Sequence, residues 1–261
     1  MDGLHCVVLC PAHGVRFMRL LILAGTAEAR QIAAVARREP GVVATASLAT
    51  QDMRPVPLGI PTRIGGFGGR EQFRDYLIRE GVDCVLDATH PFAVKMSHRA
   101  AEVCKELGIE HAQFIRRPWL PTPADTWTFL NEASEAAAHI PKGRAVFLAT
   151  GRRDLEAFAN LTGRRVYCRV KDQPDRPYPY PDGSYVVGSG PFTTASEERL
   201  FGGLGIDWLV VRNSGGHGSW PKLEAARNIG IRVAVIRRPL QPEAVRLETV
   251  AETTAWIRRR Q

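Results

Sequence analysis

The stretch Met18-Arg-Leu-Leu-Ile-Leu-Ala-Gly-Thr-Ala-Glu-Ala-Arg-Gln-Ile-Ala33 decides the fold. Leu20 to Leu23 is a continuous apolar run, the pattern of a strand buried on both faces of a parallel sheet. Gly25 and Thr26 then turn the chain. From Glu28 the sequence is rich in Ala, with Ile32 and Val35 spaced for a helix. A strand, a glycine turn and a helix N-terminus bring free N–H groups and the positive end of the helix dipole to one place, which makes an anion site. The reading is a nucleotide phosphate cradle. The full G-x-G-x-x-G fingerprint is absent, because Gly25 stands alone with Ala24 and Ala27 around it. An ordinary tight turn between strand and helix accounts for the same residues.

Working outward, the same alternation recurs. Val42 to Leu48 reads as a second strand, Glu71 to Arg79 as a helix, Val82 to Leu86 as a buried strand, and Ile109 to Ile115 as another after a helix ending at Leu107. Strands are expected at Ala145–Ala149, Val166–Val170, Tyr185–Val187, Trp208–Val211 and Val233–Ile236. Helices are expected after Thr150-Gly-Arg-Arg-Asp154 (through Ala159), over Ala195–Leu200 and from near Lys222. This alternation predicts an α/β fold with mainly parallel sheets. The Pro-rich passage Arg116-Arg-Pro-Trp-Leu-Pro-Thr-Pro123 is the expected domain boundary, giving 18–118 and 119–261. An internal echo supports two domains of similar design: Leu107-Gly-Ile109 leads by a strand to Ile115-Arg-Arg-Pro118, and Ile229-Gly-Ile231 to Ile236-Arg-Arg-Pro239. Residues 1–17 read as an N-terminal extension without the basic start of a signal peptide. His5, Cys6, Cys10 and His13 invite a metal there, but no second ligand cluster follows and no metal is expected.

The chain has 261 residues, 44% of them apolar, enough for one large domain or two ordinary ones. No apolar run approaches a membrane span. The five Cys, at 6, 10, 84, 104 and 168, form no regular framework, which fits a reducing, cytoplasmic setting. The net charge of +8 calls for anionic partners. Nucleic acid, a phosphorylated cofactor and a polycarboxylate all qualify on charge. The basic residues come as Arg pairs at strand ends, without a basic stripe or an aromatic platform, and this disfavours nucleic acid. Tyr167 and Lys171 have the spacing of a short-chain dehydrogenase pair, but they sit in a strand, where four residues span about 13 Å. No Gly-x-Ser-x-Gly elbow and no Walker loop is present.

Polar residues at strand ends are the candidate site, because open α/β sheets bind ligands there. Ser47, Thr50 and Arg54, beyond the second strand, suit a ribose 2′-phosphate better than a bare ribose, which favours NADPH (NADP). The loop Arg63-Ile-Gly-Gly-Phe-Gly-Gly69 lets backbone approach a ligand closely, and a hinge reading competes with that. Asp87-Ala-Thr-His-Pro-Phe-Ala93 closes the third long strand. There His90 contacts cofactor or substrate or acts as an acid, or else it is a local structural donor with Asp87 and Thr89 as helix caps. Lys95 follows at the helix start.

Together these motifs resemble the precorrin-6A reductases of cobalamin biosynthesis. The carrying residues are Leu23-Ala-Gly-Thr-Ala-Glu-Ala29, Arg63-Ile-Gly-Gly-Phe-Gly-Gly69, Asp87-Ala-Thr-His-Pro-Phe-Ala93, Thr150-Gly-Arg152, Gly188-Ser-Gly-Pro-Phe192 and Asn213-Ser-Gly-Gly216 with Lys222. The resemblance implies two Rossmann-like domains with an interdomain active-site cleft. It implies hydride transfer from reduced nicotinamide to a C=C bond of an anionic tetrapyrrole, with a proton delivered to the neighbouring carbon. It implies cofactor contacts from Gly25, Thr26, Ser47, Thr50, Arg54, Gly65, Gly66, Phe67, Thr89, His90 and Pro91. Substrate contacts would come from Lys95, Thr150, Gly151, Arg152, Ser189, Asn213, Ser214, Gly215 and Lys222. Lys222, His90 and His217 are the candidate proton donors, with bulk water as the alternative. A cobalt-containing ring, another NAD(P)-dependent reductase and a nucleotide sensor stay open. Channelling with neighbouring pathway enzymes is compatible with the resemblance, and the sequence does not determine the oligomeric state.

Overall fold

Leu20, Leu21, Ile22 and Leu23 are all buried, and they run through the middle of a six-stranded sheet. The computed structural model describes residues 17–49 and 57–260. The first elements are β1 (Met18–Ala24), α1 (Ala27–Ala36), β2 (Val42–Leu48), β3 (Thr62–Ile64), α2 (Arg70–Arg79), β4 (Cys84–Ala88), α3 (Val94–Leu107) and β5 (Glu110–Phe114). There follow β6 (Trp127–Leu130), α4 (Ala136–His139), β7 (Ala145–Leu148), β8 (Arg165–Val170), β9 (Gly183–Val187), α5 (Thr194–Leu204) and β10 (Trp208–Arg212). The chain closes with α6 (Pro221–Asn228), β11 (Arg232–Ile236), β12 (Val245–Leu247) and α7 (Val250–Arg258). No helix among the described residues is long and apolar enough to cross a membrane.

The strands form two sheets, ordered β12-β5-β4-β1-β2-β3 and β6-β11-β10-β7-β8-β9. The pairings of β1 with β2 and β4, and of β2 with β3, are parallel. In the second sheet every neighbouring pair is parallel. The expected α/β fold is therefore present, and the internal echo has a structural counterpart. From β1 and from β7 the strands follow the same order, 3-2-1-4-5, and the two Ile-Arg-Arg-Pro segments leave the equivalent strands β5 and β11. Each sheet carries one more strand beside its fifth. β6 pairs with β11, and Ile115 beyond β5 donates its N–H to Leu247 of β12 at 2.8 Å.

Alternation along the second sheet's strands explains its core. Val146, Leu148, Val210, Ala234 and Ile236 pack in one buried cluster, and Ala145, Phe147, Leu209, Val211, Val233 and Val235 in another. Both faces are covered, so the strands read as unbroken apolar runs. α5 starts with a capping box, in which Thr193 and Ser196 each bond the other's backbone N–H, and ends on left-handed Gly205.

By contact density the chain divides into two units. The first comprises the residues through Ala88, Glu102–Ala112 and those from Val250 on; the second comprises Thr89–Ala101 and Gln113–Thr249. Against the expected division at 118–119, the C-terminal residues fall in the first unit and 89–101 in the second. The physical reason is burial. Trp256 and Ile257 of α7 are covered almost completely, α7 packs on α1, and Arg258 makes two bonds to Glu39, at 2.8 and 2.9 Å. Two further expectations need correction. The segment after Thr150-Gly151 is a 3₁₀ helix over Arg152–Phe158, with Ala159 N–H bonding Glu156 three residues back. Asp87 lies inside β4 and α3 begins only at Val94, so neither Asp87 nor Thr89 caps that helix.

Trp256→Ala should lower stability by about 3–5 kcal/mol, the usual loss for deleting a buried aromatic ring. Denaturant midpoints of the full chain measure this. A loss below about 1 kcal/mol would mean that α7 is dispensable to the first unit.

Candidate functional site

In the first unit the strand order reverses between β1 and β4, and Thr26 stands at that point. Its extended backbone (φ −123°, ψ 164°) lets the side chain cap α1. Oγ1 accepts the N–H of Ala29 at 3.2 Å and donates to the carbonyl of Ala88, the last residue of β4, at 3.1 Å. Gly25 beside it is exposed. The N-terminus of α1 thus lies at the place where doubly wound sheets take phosphates.

At the end of β2, Ser47 is buried and its Oγ accepts Arg63 Nη1 at 2.9 Å. The same guanidinium donates to the carbonyls of Gly65 at 2.8 Å and Gly66 at 3.1 Å. It stacks 4.0 Å over the ring of Phe67. Phe67 in turn meets Phe73 and Tyr76 edge-on at 4.7 and 5.1 Å, so this ring is a packing residue against α2. Gly65 needs its φ of +117°, and nothing lies within 4 Å of where its Cβ would stand. Thr50 and Arg54 lie outside the described residues.

In the second unit the order reverses between β7 and β10, and a pocket opens there. Its lining comes from the end of β7 (Ala149, Thr150), from β10 and the loop beyond (Val211, Arg212, Ser214, Ser219), and from Lys222, His90 and Trp119. Lys222 sits in the first turn of α6, after Pro221. Burial, together with nearby Arg169, brings its ammonium down to about 8, against the opposing pull of Glu197. His90 is pushed down to about 4 by burial and by Arg116, Arg212 and Arg238, so its imidazole is neutral at pH 7. Its Nδ1 accepts the N–H of Phe92 at 3.3 Å, which assigns the remaining proton to Nε2. Thr150 is buried, and its Oγ1 has no hydrogen-bond partner among the described residues. The pocket therefore presents hydroxyls and cations, a donor set suited to an anion.

A polar frame holds this lining. Asn213 uses its whole amide on one residue: Oδ1 accepts Trp119 N–H at 2.8 Å and Nδ2 donates to Trp119 carbonyl at 3.0 Å. Its side chain is thus a brace for the Pro-rich segment. Trp119 Nε1 donates to Gly216 carbonyl at 2.9 Å. Arg238 donates to the carbonyls of Asn213 (2.7 Å) and Arg116 (2.6 Å). A Cβ on Gly215 would run into Arg117 carbonyl and Arg238 Nη2, so close backbone approach requires that glycine. Arg212 pairs with Asp154 and lies 5.4 Å from the centre of the Phe92 ring. Arg169 binds Glu197 through both nitrogens, at 2.5 and 2.9 Å, beneath Phe192.

The structure groups Thr150, Ser214, Lys222 and His90, and places His90 with residues expected to face substrate. Pro91 gives its carbonyl to Gln241, and Thr89 is half-buried. Lys95, Arg152, Ser189 and His217 are exposed and do not line the pocket, and Gly151 only turns the chain at φ +77°. Arg212, Trp119, Ser219 and Arg63 were not singled out from sequence. The position of Arg212 at the end of an apolar run was the available signal.

Three comparisons bear on this geometry. Residues 19–258 match the family model described as precorrin-6x reductase CbiJ/CobK. A precorrin-6A reductase of Rhodobacter capsulatus is 39% identical over 240 residues, covering 92% of this chain and 95% of that protein. A cobalt-precorrin-6A reductase of Priestia megaterium is 30% identical, covering 84% and 90%. The solved structure titled CobK precorrin-6A reductase superposes with a TM-score of 0.87 at 38% identity, covering 93% of this chain and 97% of that one.

The depressed His90 has a consequence for stability. Unfolded, it takes a proton near pH 6.5; folded, it stays neutral to about 4. Stability is therefore full above pH 6.5 and falls as pH drops through that window, with His111, also lowered by burial, acting in the same direction. His90→Gln should flatten the fall between pH 7 and pH 5 in denaturant midpoints; an unchanged slope would place the acid sensitivity elsewhere.

Proposed function

The chain belongs to the precorrin-6x reductase CbiJ/CobK family, and we propose that it reduces one C=C bond of precorrin-6A to give precorrin-6B, using NADPH. It is an oxidoreductase of cobalamin biosynthesis. The observation that carries the reading is the second unit's pocket, where hydroxyls, a lysine and an arginine surround a space suited to the carboxylates of a tetrapyrrole.

NADPH fits the first unit's residues. Exposed Gly25, the N-terminus of α1 and the open space at Gly65 allow a dinucleotide to lie against backbone. When bound, the reduced nicotinamide supplies the hydride. The chain's own residues do the rest. Gly25 and Thr26 would receive phosphate, while the loop at Gly65 and Gly66 forms a wall with no side chain in the way. Thr150 Oγ1, Ser214 and Arg212 would fix ring carboxylates. His90, neutral, would donate from Nε2 to orient a carboxylate or carbonyl; being uncharged, it is a poor acid at neutral pH. Lys222, charged below about 8, holds a proton in the pocket and is the proposed donor to the carbon next to the reduced one. Exposed His217 drops behind it.

A metal-free ring is favoured as substrate. The relatives named precorrin-6A reductase share more identity with this chain than those named cobalt-precorrin-6A reductase. The decisive assay is anaerobic NADPH oxidation with precorrin-6A, followed together with the ring's own absorbance. Coupled change is expected. NADPH binding without turnover would move the reading to the cobalt-containing ring or to a nucleotide sensor.

Lys222→Met should lower kcat by about 10²–10⁴ and remove the loss of rate that sets in as pH rises through about 8. A loss of tenfold or less, with that alkaline limb intact, would assign the proton to water.

A further inference from the structure

We infer that Arg63 is the residue by which this chain distinguishes a 2′-phosphorylated dinucleotide from its unphosphorylated form. The inference rests on the nucleotide reading of the first unit. In a doubly wound sheet the ribose attached to adenine lies beyond the end of the strand next to β1, and that strand is β2. Leu23 of β1 pairs with Ser47 of β2, and Ser47 pairs with Arg63 of β3. Neighbouring strands are about 4.8 Å apart, so Arg63 starts one strand beyond the ribose position. Its side chain closes that gap, because Nη1 reaches back to Ser47 Oγ at 2.9 Å and brings the guanidinium over the end of β2.

The group is also held rigid. Three of its hydrogens go to Ser47 Oγ and the carbonyls of Gly65 and Gly66, and its face lies 4.0 Å over Phe67. A guanidinium carries five N–H groups. The Nε–H and one Nη2–H therefore remain without a partner among the described residues, on a half-buried side chain. Two N–H donors on one positively charged group suit the oxygens of a phosphate monoester. No acidic side chain bonds Arg63 among the described residues. The bonds to the glycine carbonyls also tie the guanidinium to the loop at Gly65 and Gly66.

Calorimetric titration of the whole protein with NADP⁺ and with NAD⁺, without substrate, tests this. The unaltered chain should prefer NADP⁺, and Arg63→Gln should cut NADP⁺ affinity by about tenfold to a hundredfold while changing NAD⁺ little. Phe67→Leu, which disturbs the stack but keeps the guanidinium, should retain the preference. Equal losses for both nucleotides in Arg63→Gln would assign Arg63 to loop shape alone and overturn the inference. If that variant does not fold, arginine labelling of the unaltered protein with phenylglyoxal decides, read by peptide mass spectrometry. NADP⁺ should shield Arg63 and NAD⁺ should not; equal shielding overturns the inference. Failure of the unaltered protein to bind either dinucleotide would instead overturn the nucleotide reading beneath it.

Discussion

β7 and β10 are paired from Val146↔Trp208 to Leu148↔Val210, and one further bond, Ala149 N–H to Val210 carbonyl at 2.9 Å, closes the ladder. Beyond it the two strands must part. β7 continues toward β8 on one side, and β10 toward β11 on the other, so their loops leave in opposite directions. In a fully parallel sheet covered on both faces, such a parting is where backbone and polar side chains reach an open crevice. Thr150 and Val211 are the first residues past the last shared bond, Arg212 is next, and all three line the pocket. The lysine, the histidine and the braced tryptophan are arranged around that gap.

Keeping several cations beside one partly covered pocket is electrostatically costly, and the structure shows how the cost is met. Arg212 has Asp154 and Arg169 has Glu197, while Arg238 is held by two backbone carbonyls. These attachments leave the groups charged and oriented before any ligand arrives, so less reorganisation is needed on binding. The groups that yield are those without a paired counter-charge. His90 gives up its charge altogether, and Lys222 is brought to the point where its proton is easily lost. The two are driven by the same desolvation to different protonation states, because an imidazole starts near 6.5 and an ammonium near 10.5.

Much of this was legible in the chain itself. The apolar runs at Leu20–Leu23, Cys84–Leu86 and Trp208–Val211 state strands buried on two sides, and glycine or hydroxyl residues after each run mark where a ligand is reached. The short elements were not legible. β3 and β12 have three residues each, and β6 follows directly on a Pro-rich passage, so none shows a period of its own. Asn213 looked like a ligand contact because an amide at a strand end resembles one; only the two bonds to Trp119 reveal that it copies a backbone pairing. Arg63 was hidden for a similar reason. Its value comes from reaching across to Ser47, sixteen residues earlier in the chain, and spacing alone does not show that.

The placement of β12 and α7 has a consequence for the order in which the protein is made. Ile115 waits for Leu247, and Glu39 for Arg258, separations of more than a hundred residues. A ribosome delivering the chain from its N-terminus releases β1 to β5 long before the helix that covers α1. During that interval the part of α1 that α7 will cover stays open, and the nascent first unit is exposed to mispairing and to chaperones. The second unit's core strands lie within one continuous segment, and the wait of β6 for β11 is shorter than that of α1 for α7. Folding of this chain is therefore expected to finish where it began, with its first helix sealed by its last.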